Sequence, residues 1–340
     1  MLISVVIPVY NEAESLPALL STLEQVLVDM GCQRELLFVD DGSSDDSNRI
    51  LREAATSDPS IKVLEFSRNF GHQTAITAGL DFASGDAVVV MDADMQDPPE
   101  LLPQMLDLMN QGYDVVSAQR LTRQGESFLK RKTASVFYWI MRNSVDKRLR
   151  PEVGDFRMFS SAALTAIRSF REQHRFMRGL VAWLGLREAI LPFHRRARGA
   201  GVTKYSVSKM IRFAWTAISS FSALPLRLSL PLGAMLTCVG ILYSAYSIYL
   251  TVVKKVTVPG WTSLVCLQTL FSGATLMAVG LLGDYVARIY EEAKHRPLYV
   301  VARTMNLQDA NATVARAVIL PPRGSSELAR VAPRGRVAGR

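Results

Sequence analysis

Two aspartates one residue apart, Asp92 and Asp94, follow the apolar run Ala87 to Met91. In an extended backbone, residues two apart point to the same side, so both carboxylates can face one ion. An all-oxygen site suits a hard cation, magnesium or manganese, which takes one or two protein carboxylates and fills its shell with substrate phosphates. The diphosphate of a nucleotide sugar would supply these, and the metal would act on it as a Lewis acid as it departs. Acidic pairs are common on strand exits. Here, however, Gln96-Asp97-Pro98-Pro99-Glu100 follows directly, and its prolines fix the loop and start the next helix with acid near its N-terminus.

A second acidic group, Asp40-Asp41-Gly42-Ser43, ends another apolar run. A carboxylate there could accept a hydrogen bond from a base or ribose hydroxyl. Taken alone, the same residues read as an Asp-Gly turn capping a helix that starts at Ser47. A basic cluster, Arg195, Arg196, Arg198 and Lys204, offers guanidinium groups that bind phosphate bidentately. It suits equally a polybasic stretch held to anionic lipid without specificity.

These groups need a frame. The β-branched runs Ile3 to Val9, Leu36 to Val39, Ile61 to Phe66 and Ala87 to Met91 read as strands. Between and after them Pro17 to Met30, Ser47 to Thr56, Gln73 to Ala83 and Glu100 to Gln111 carry apolar residues at helical spacing. Alternation of this kind predicts an α/β domain with a mostly parallel sheet, whose ligands sit beyond the carboxyl ends of the strands. From Asp114 to about Arg198 the pattern is less regular and suggests loops and helices over the crevice.

Charges almost vanish between Leu228 and Gly283, Lys254 and Lys255 excepted. Two segments, about 228–253 and 258–283, are each long enough to span a hydrocarbon core, which needs about 20 apolar residues. Basic residues flank the pair on both sides and only the two lysines occupy the turn, so both termini and residues 1–204 are expected on the cytoplasmic face of the inner membrane. Residues 205–226 place Ile211, Trp215 and Ile218 on one helical face, as an interfacial helix or a core-packing helix would. Residues 290–340 form a polar C-terminal segment that ends in an Arg-, Gly- and Pro-rich tail expected to be disordered. The three cysteines have no disulfide or zinc spacing, and the net charge of +8 suits an anionic partner. Because the basic residues gather beside the apolar spans, lipid is expected as that partner and nucleic acid is not.

The chain resembles the family 2 glycosyltransferases of the dolichyl- and polyprenyl-phosphate type. Val5-Val6-Ile7-Pro8-Val9-Tyr10-Asn11-Glu12, Val39-Asp40-Asp41-Gly42-Ser43 and Asp92-Ala93-Asp94-Met95-Gln96-Asp97-Pro98-Pro99-Glu100 look like their three signatures, and Ser67-Arg68-Asn69-Phe70-Gly71 also fits. Gly154-Asp155-Phe156-Arg157, Arg175-Phe176-Met177-Arg178-Gly179, the stretch from Arg195 to Tyr205 and Glu291 to Pro297 resemble the bacterial polyprenyl-phosphate glucosyltransferases.

That resemblance implies a GT-A, Rossmann-like catalytic domain and inverting transfer of one sugar from a nucleotide sugar to polyprenyl phosphate. UDP-glucose or a related UDP-sugar is the expected donor; galacturonate, modified arabinose and mannose donors serve relatives of the same skeleton. Pro8, Tyr10, Glu12 and Asp41 match positions that hold the nucleoside, and Asp92, Asp94 and Gln96 match the site of Mg2+ or Mn2+ and the diphosphate. Arg120, Arg131 and Ser135 match phosphate contacts; Arg195, Arg198 and Lys204 match the basic motif near the lipid phosphate. Asp155 matches the aspartate proposed as base, and Asp94 joins it in the catalytic set. Relatives are often homo-oligomers, and the same is expected here. A phosphate monoester is largely dianionic at neutral pH, because its second pKa lies near 6, so Asp155 is expected mainly to orient the acceptor or Arg157.

Other classes fit less well. A processive synthase would carry Gln-x-x-Arg-Trp and more spans, whereas the chain has Gln173-His174-Arg175-Phe176. A dinucleotide-binding oxidoreductase would need a Gly-rich turn after the first strand. A degenerate scaffold would have lost a metal or diphosphate residue, and every matched position is filled.

Overall fold

A computed structural model describes residues 1–121, 153–173, 175, 177–194, 224–255, 260–307 and 318–319. The interfacial-helix expectation at 205–226 and the Arg-rich tail therefore lie essentially outside the described residues.

Strand β1 (Leu2–Val9) is buried along nearly its whole length, and its side chains divide by parity. Ile3, Val5, Ile7 and Val9 pack on one face of the sheet with Leu16, Leu19, Leu23 and Leu27 of helix α1 (Leu16–Asp29), with Leu51 of α2 (Ser47–Ser57) and with Leu102 and Met105 of α4 (Leu102–Asn110). Val6 points the other way, toward Ala75, Ile76 and Ala78 of α3 (His72–Phe82). A two-residue side-chain period thus produces a three-layer sandwich, and strands buried on both faces read as continuous apolar runs.

Strands β2 (Gln33–Asp40), β3 (Ile61–Phe66) and β4 (Ala87–Val90) complete the parallel centre. The irregular region after Asp114 contributes more sheet than expected. Strands β5 (Val115–Arg120), β6 (Val153–Ser160) and β7 (Glu188–Phe193) extend it, with β6 antiparallel to both β4 and β5. Helices α5 (Ser161–Ser169) and α6 (Met177–Leu184) cover the α3 face.

Helices α7 (Leu224–Val252) and α8 (Trp261–Ala293) follow. Their windows Pro231–Leu250 and Leu270–Ala293 are long and apolar enough to cross a membrane, and none of either window is buried within the protein. The second helix runs ten residues past Gly283, the end expected for the second span. The chain then returns to the catalytic sheet. Strand β8 (Val300–Met305), from the polar C-terminal segment to which the sequence assigns no strand, pairs antiparallel with β3, and β9 (Val318–Ile319) pairs with β8. Among the described residues the order is β7-β5-β6-β4-β1-β2-β3-β8-β9.

Candidate active site

Strands β4, β1 and β2 are parallel neighbours, so their carboxyl ends lie side by side at one edge of the sheet, where ligands of such sheets bind. Pro8 is buried at the end of β1, and Tyr10 beyond it is 48 % exposed. The loop that follows is held to the β2–α2 loop by hydrogen bonds in both directions. Asn11 N–H donates to Ser43 Oγ (3.0 Å), Glu12 N–H to Ser47 Oγ (2.9 Å), and Ser44 N–H to Asn11 Oδ1 (2.8 Å). The Glu12 carboxylate accepts from Ser15 Oγ at 3.0 Å.

Asp41 is buried and turned inward. It accepts from Phe70 N–H at 2.6 Å and Gly71 N–H at 2.9 Å, at the start of α3. Burial raises its pKa, and those two backbone bonds oppose the rise. These bonds tie the β2 end to the loop before α3, a structural role that the sequence reading did not include. Gly42 lets the two loops meet: its φ is +73°, and a Cβ there would lie 2.7 Å from the Arg68 carbonyl carbon.

The acidic pair differs in backbone from the expectation. Strand β4 ends at Val90, and Ala93 and Asp94 already belong to a turn, so extended alternation does not direct their side chains. The turn is closed by Gln96 N–H donating to Asp94 Oδ1 (3.1 Å) and Asp92 N–H to Asp97 Oδ2 (3.1 Å), with Met95 at φ 60°. Burial and the nearby Asp155 and Asp94 charges push Asp92 up, with His72 opposing. Burial, then the Asp92 charge, pushes Asp97 up to about 7 against the pull of Arg120, whose Nη2 lies 3.5 Å from Asp97 Oδ1.

A cation fits this turn. Asp92 Oδ1 and Gln96 Oε1 are buried oxygens without a hydrogen-bond donor. His72 Nε2 lies 3.5 Å from that Asp92 oxygen but is not aligned to donate. No three His, Cys, Asp or Glu side chains among the described residues form a ready-made cage.

Asp155, on β6, faces the acidic turn across the cleft. Arg178 Nε donates to its Oδ1 at 3.2 Å and Gln73 Nε2 to its Oδ2 at 3.1 Å; His72 Nε2 is 3.5 Å from Oδ2. Burial works to raise Asp155, but the Arg178 charge, the His72 hydrogen bond and charge, and Arg157 outweigh it and hold the carboxyl far below the usual range. For His72 the crowded cleft works against protonation, and the bond to Asp155 with the Asp92 charge more than compensates, so its pKa is raised. The His72 side chain still keeps 46 % of its surface open to the cleft, so its charge is partly screened by solvent.

The structure therefore gathers Asp92, Asp94, Gln96, Arg120 and Asp155 about one cleft, with Pro8, Tyr10, Glu12 and Asp41 along its β1–β2 side. Arg131, Ser135, Arg195, Arg198 and Lys204 lie outside the described residues. Sequence reading missed His72 and Gln73, and it gave Arg178 no role. The available signal was position: His72 and Gln73 follow the Ser67 to Gly71 motif directly, at the first turn of a helix that begins at the strand ends.

The family model for glycosyl transferase family 2 matches residues 4–168, which span β1 through most of α5. The glycosyltransferase YkcC of Bacillus subtilis strain 168 is 42 % identical over 306 residues, covering 90 % of this chain and 95 % of that protein. The chain belongs to glycosyl transferase family 2. The transferase is also similar to glycosyltransferase sll0501 of Synechocystis, 39 % identical over 90 % of this chain and 96 % of that protein. A bactoprenol glucosyl transferase of Shigella phage SfV is 38 % identical over 88 % of this chain and 98 % of its own length. As an enzyme of this family it moves a sugar between a donor and an acceptor, and the cleft just described is its candidate active site.

Proposed function

We propose that this transferase moves one glucosyl group from UDP-glucose, or a related UDP-sugar, to polyprenyl phosphate with inversion at the anomeric carbon. The observation that carries this reading is the near-full-length similarity to bactoprenol glucosyl transferases, which runs through both candidate membrane helices. An oxygen of the lipid phosphate bonds to the anomeric carbon as the bond to the β-phosphate oxygen breaks, and UDP leaves with the electron pair. Asp92, Asp94 and Gln96 would hold Mg2+ or Mn2+, which when bound supplies Lewis-acid stabilisation of the departing diphosphate.

The protein's own groups position and orient. Asp155 is ionised and fixed by Arg178 and Gln73, so it serves as an oriented negative group rather than a proton acceptor. An acceptor phosphate that is mostly dianionic needs no base. The stapled β1 and β2 loops would hold the nucleoside beside Pro8, Tyr10, Glu12 and Asp41. The resemblance assigns phosphate contacts to Arg120, Arg131, Ser135, Arg195, Arg198 and Lys204. The catalytic domain and both termini would face the cytoplasm beneath a two-span hairpin, and the enzyme would act as a homo-oligomer.

The test uses the purified full chain with short-chain polyprenyl phosphate, Mn2+ or Mg2+, and a panel of nucleotide sugars, read by mass spectrometry of the lipid. One hexose added from UDP-glucose is the expected product. A hexuronate, aminopentose or GDP-derived mannose product would reassign the donor, and absence of any glycosylated lipid phosphate would overturn the reading.

A further inference from the structure

The connection between α5 and α6 is held at both ends by parts of the molecule that are far apart in sequence. At its start, Gln173 N–H donates to Glu292 Oε1 at 2.5 Å, and Gln173 Nε2 donates to the Arg296 carbonyl at 2.7 Å. Glu292 belongs to the last turn of α8, the second candidate membrane helix. At its end, Met177 N–H donates to Gln73 Oε1 at 3.1 Å, and the other atom of that amide, Nε2, donates to Asp155 Oδ2. Arg178, the next residue, holds the other Asp155 oxygen. Gln173 and Met177 are four residues apart, a reach of at most about 14 Å.

Each contact has a fixed sense. A backbone N–H can only donate, so Met177 sets the Gln73 amide with its oxygen toward α6 and its nitrogen toward Asp155. A carbonyl can only accept, so Arg296 likewise sets the Gln173 amide. Two residues before Gln173, Arg171 Nη1 lies 2.7 Å from Asp81 Oδ2, which also accepts from Tyr299 Oη at 2.9 Å. Tyr299 is buried and stacks on Phe66 with ring centroids 5.2 Å apart. The chain leaving α8 is therefore fastened to the α5–α6 connection twice, through Glu292 with Arg296 and through Tyr299.

Glu292 is poorly placed for the helix that carries it. The C-terminal turn of a helix presents partial negative charge and favours cations, yet the last turn of α8 contains no basic residue and does contain Glu292. Helix stability does not explain a carboxylate there, whereas the Gln173 amide gives it a partner.

We propose that Glu292 is a positioning residue for Asp155. The end of the second candidate membrane helix bears on the active-site carboxylate through the contacts of Gln173 on one side and of Met177, Arg178 and Gln73 on the other, which the chain joins through His174 and Phe176, two residues outside the described ones. This rests on the assignment of Asp155 to the acceptor side of the reaction. Docking of the catalytic domain on its anchor then pre-organises the site for a lipid acceptor, with a smaller effect on nucleotide binding, because the β1 and β2 loops are stapled directly to each other and meet this relay only where Asp41 accepts from Phe70 and Gly71 ahead of Gln73.

The test is made on the full chain in lipid nanodiscs with short-chain polyprenyl phosphate and the donor identified by the panel above. Glu292→Leu should lower kcat about tenfold while nucleotide affinity by calorimetry stays within about twofold, since displacement of a catalytic group costs turnover rather than uniform binding. Glu292→Gln, which keeps an oxygen acceptor for the Gln173 amide, should restore most of the turnover. Gln73→Glu turns the donor facing Asp155 into an acceptor and should also lower kcat, and the double variant should fall short of the product of the two single effects. Wild-type turnover in Glu292→Leu, effects that multiply independently, or loss of nucleotide affinity that Glu292→Gln does not restore would each overturn the proposal. Asp155→Asn separates the two levels: full activity there sinks the assignment of Asp155, whereas an inactive Asp155→Asn beside a silent Glu292→Leu sinks the coupling alone.

Discussion

Arg178 Nε donates to Asp155 Oδ1 at 3.2 Å, and this contact sets the charge state of the aspartate. Burial alone would favour the neutral acid, and the guanidinium, helped by His72, reverses that preference. A carboxyl whose pKa is depressed in the folded protein stays ionised through the whole neutral range. It therefore contributes no titration to the rate between pH 6 and pH 8.5.

Asp155→Asn is accordingly expected to lower kcat by about 10²-fold or more, the scale of losing a preorganised electrostatic contact. The loss should be the same at pH 6 and pH 8.5, with lipid binding retained. A pH-rate profile of the variant against the parent enzyme checks this, and recovery of the variant at high pH would identify Asp155 as a proton acceptor.

Replacing both Asp92 and Asp94 with Ala should abolish transfer, a loss of at least about 10³-fold if the cation supplies several kcal/mol in the transition state. Binding of Mn2+ in the presence of UDP, followed by electron paramagnetic resonance, should disappear together with activity. The pH dependence has a defined sign. Metal ligands must be deprotonated, and Asp92 is shifted upward while its neighbour Asp97 is shifted to about 7, so protons compete near neutrality. Mn2+ affinity in the parent enzyme should fall as the pH is lowered and level off once the raised Asp92 carboxyl is fully ionised. Affinity that does not change between pH 5.5 and 8 would contradict this.

Gly79, on α3, faces Val6 so closely that a Cβ would stand 2.1 Å from Val6 Cγ1. Gly79→Ala should destabilise the fold by about 1–3 kcal/mol through overpacking, although alanine is the better helix former. Val6→Ala in the same chain should recover part of that loss, because the two sites share one space. Thermal unfolding of the single and double variants in detergent tests the pair, and strictly additive losses would contradict direct contact.

The parts of the fold legible in the sequence are those whose residues speak for themselves. Strands β1 to β4 are buried on both faces and so appear as unbroken apolar runs, and α1 shows its leucines at helical spacing. Strand β6 hides its character, because Asp155 and Arg157 interrupt it with the charges of the site itself. Strand β8 could not be anticipated: its partner β3 lies on the other side of both apolar helices, and pairing at that distance leaves no local mark. The site divides in the same way. Asp92 and Asp94 stand in a compact motif, although the turn that aims them is not the extended strand the spacing suggested. His72 and Gln73 look like ordinary first-turn helix residues until folding brings Asp155 beside them.

Strand β8 has a consequence for how the enzyme is made. Ribosomes reach Val300 only after both apolar helices have been synthesised, so the outer margin of β3 stays open until the hairpin is complete. An unpaired strand margin invites association with other chains. Fragments cut before Leu224 to obtain a water-soluble catalytic unit would keep that margin bare, and the segment beyond the two candidate membrane helices thus closes the sheet as a late step in maturation.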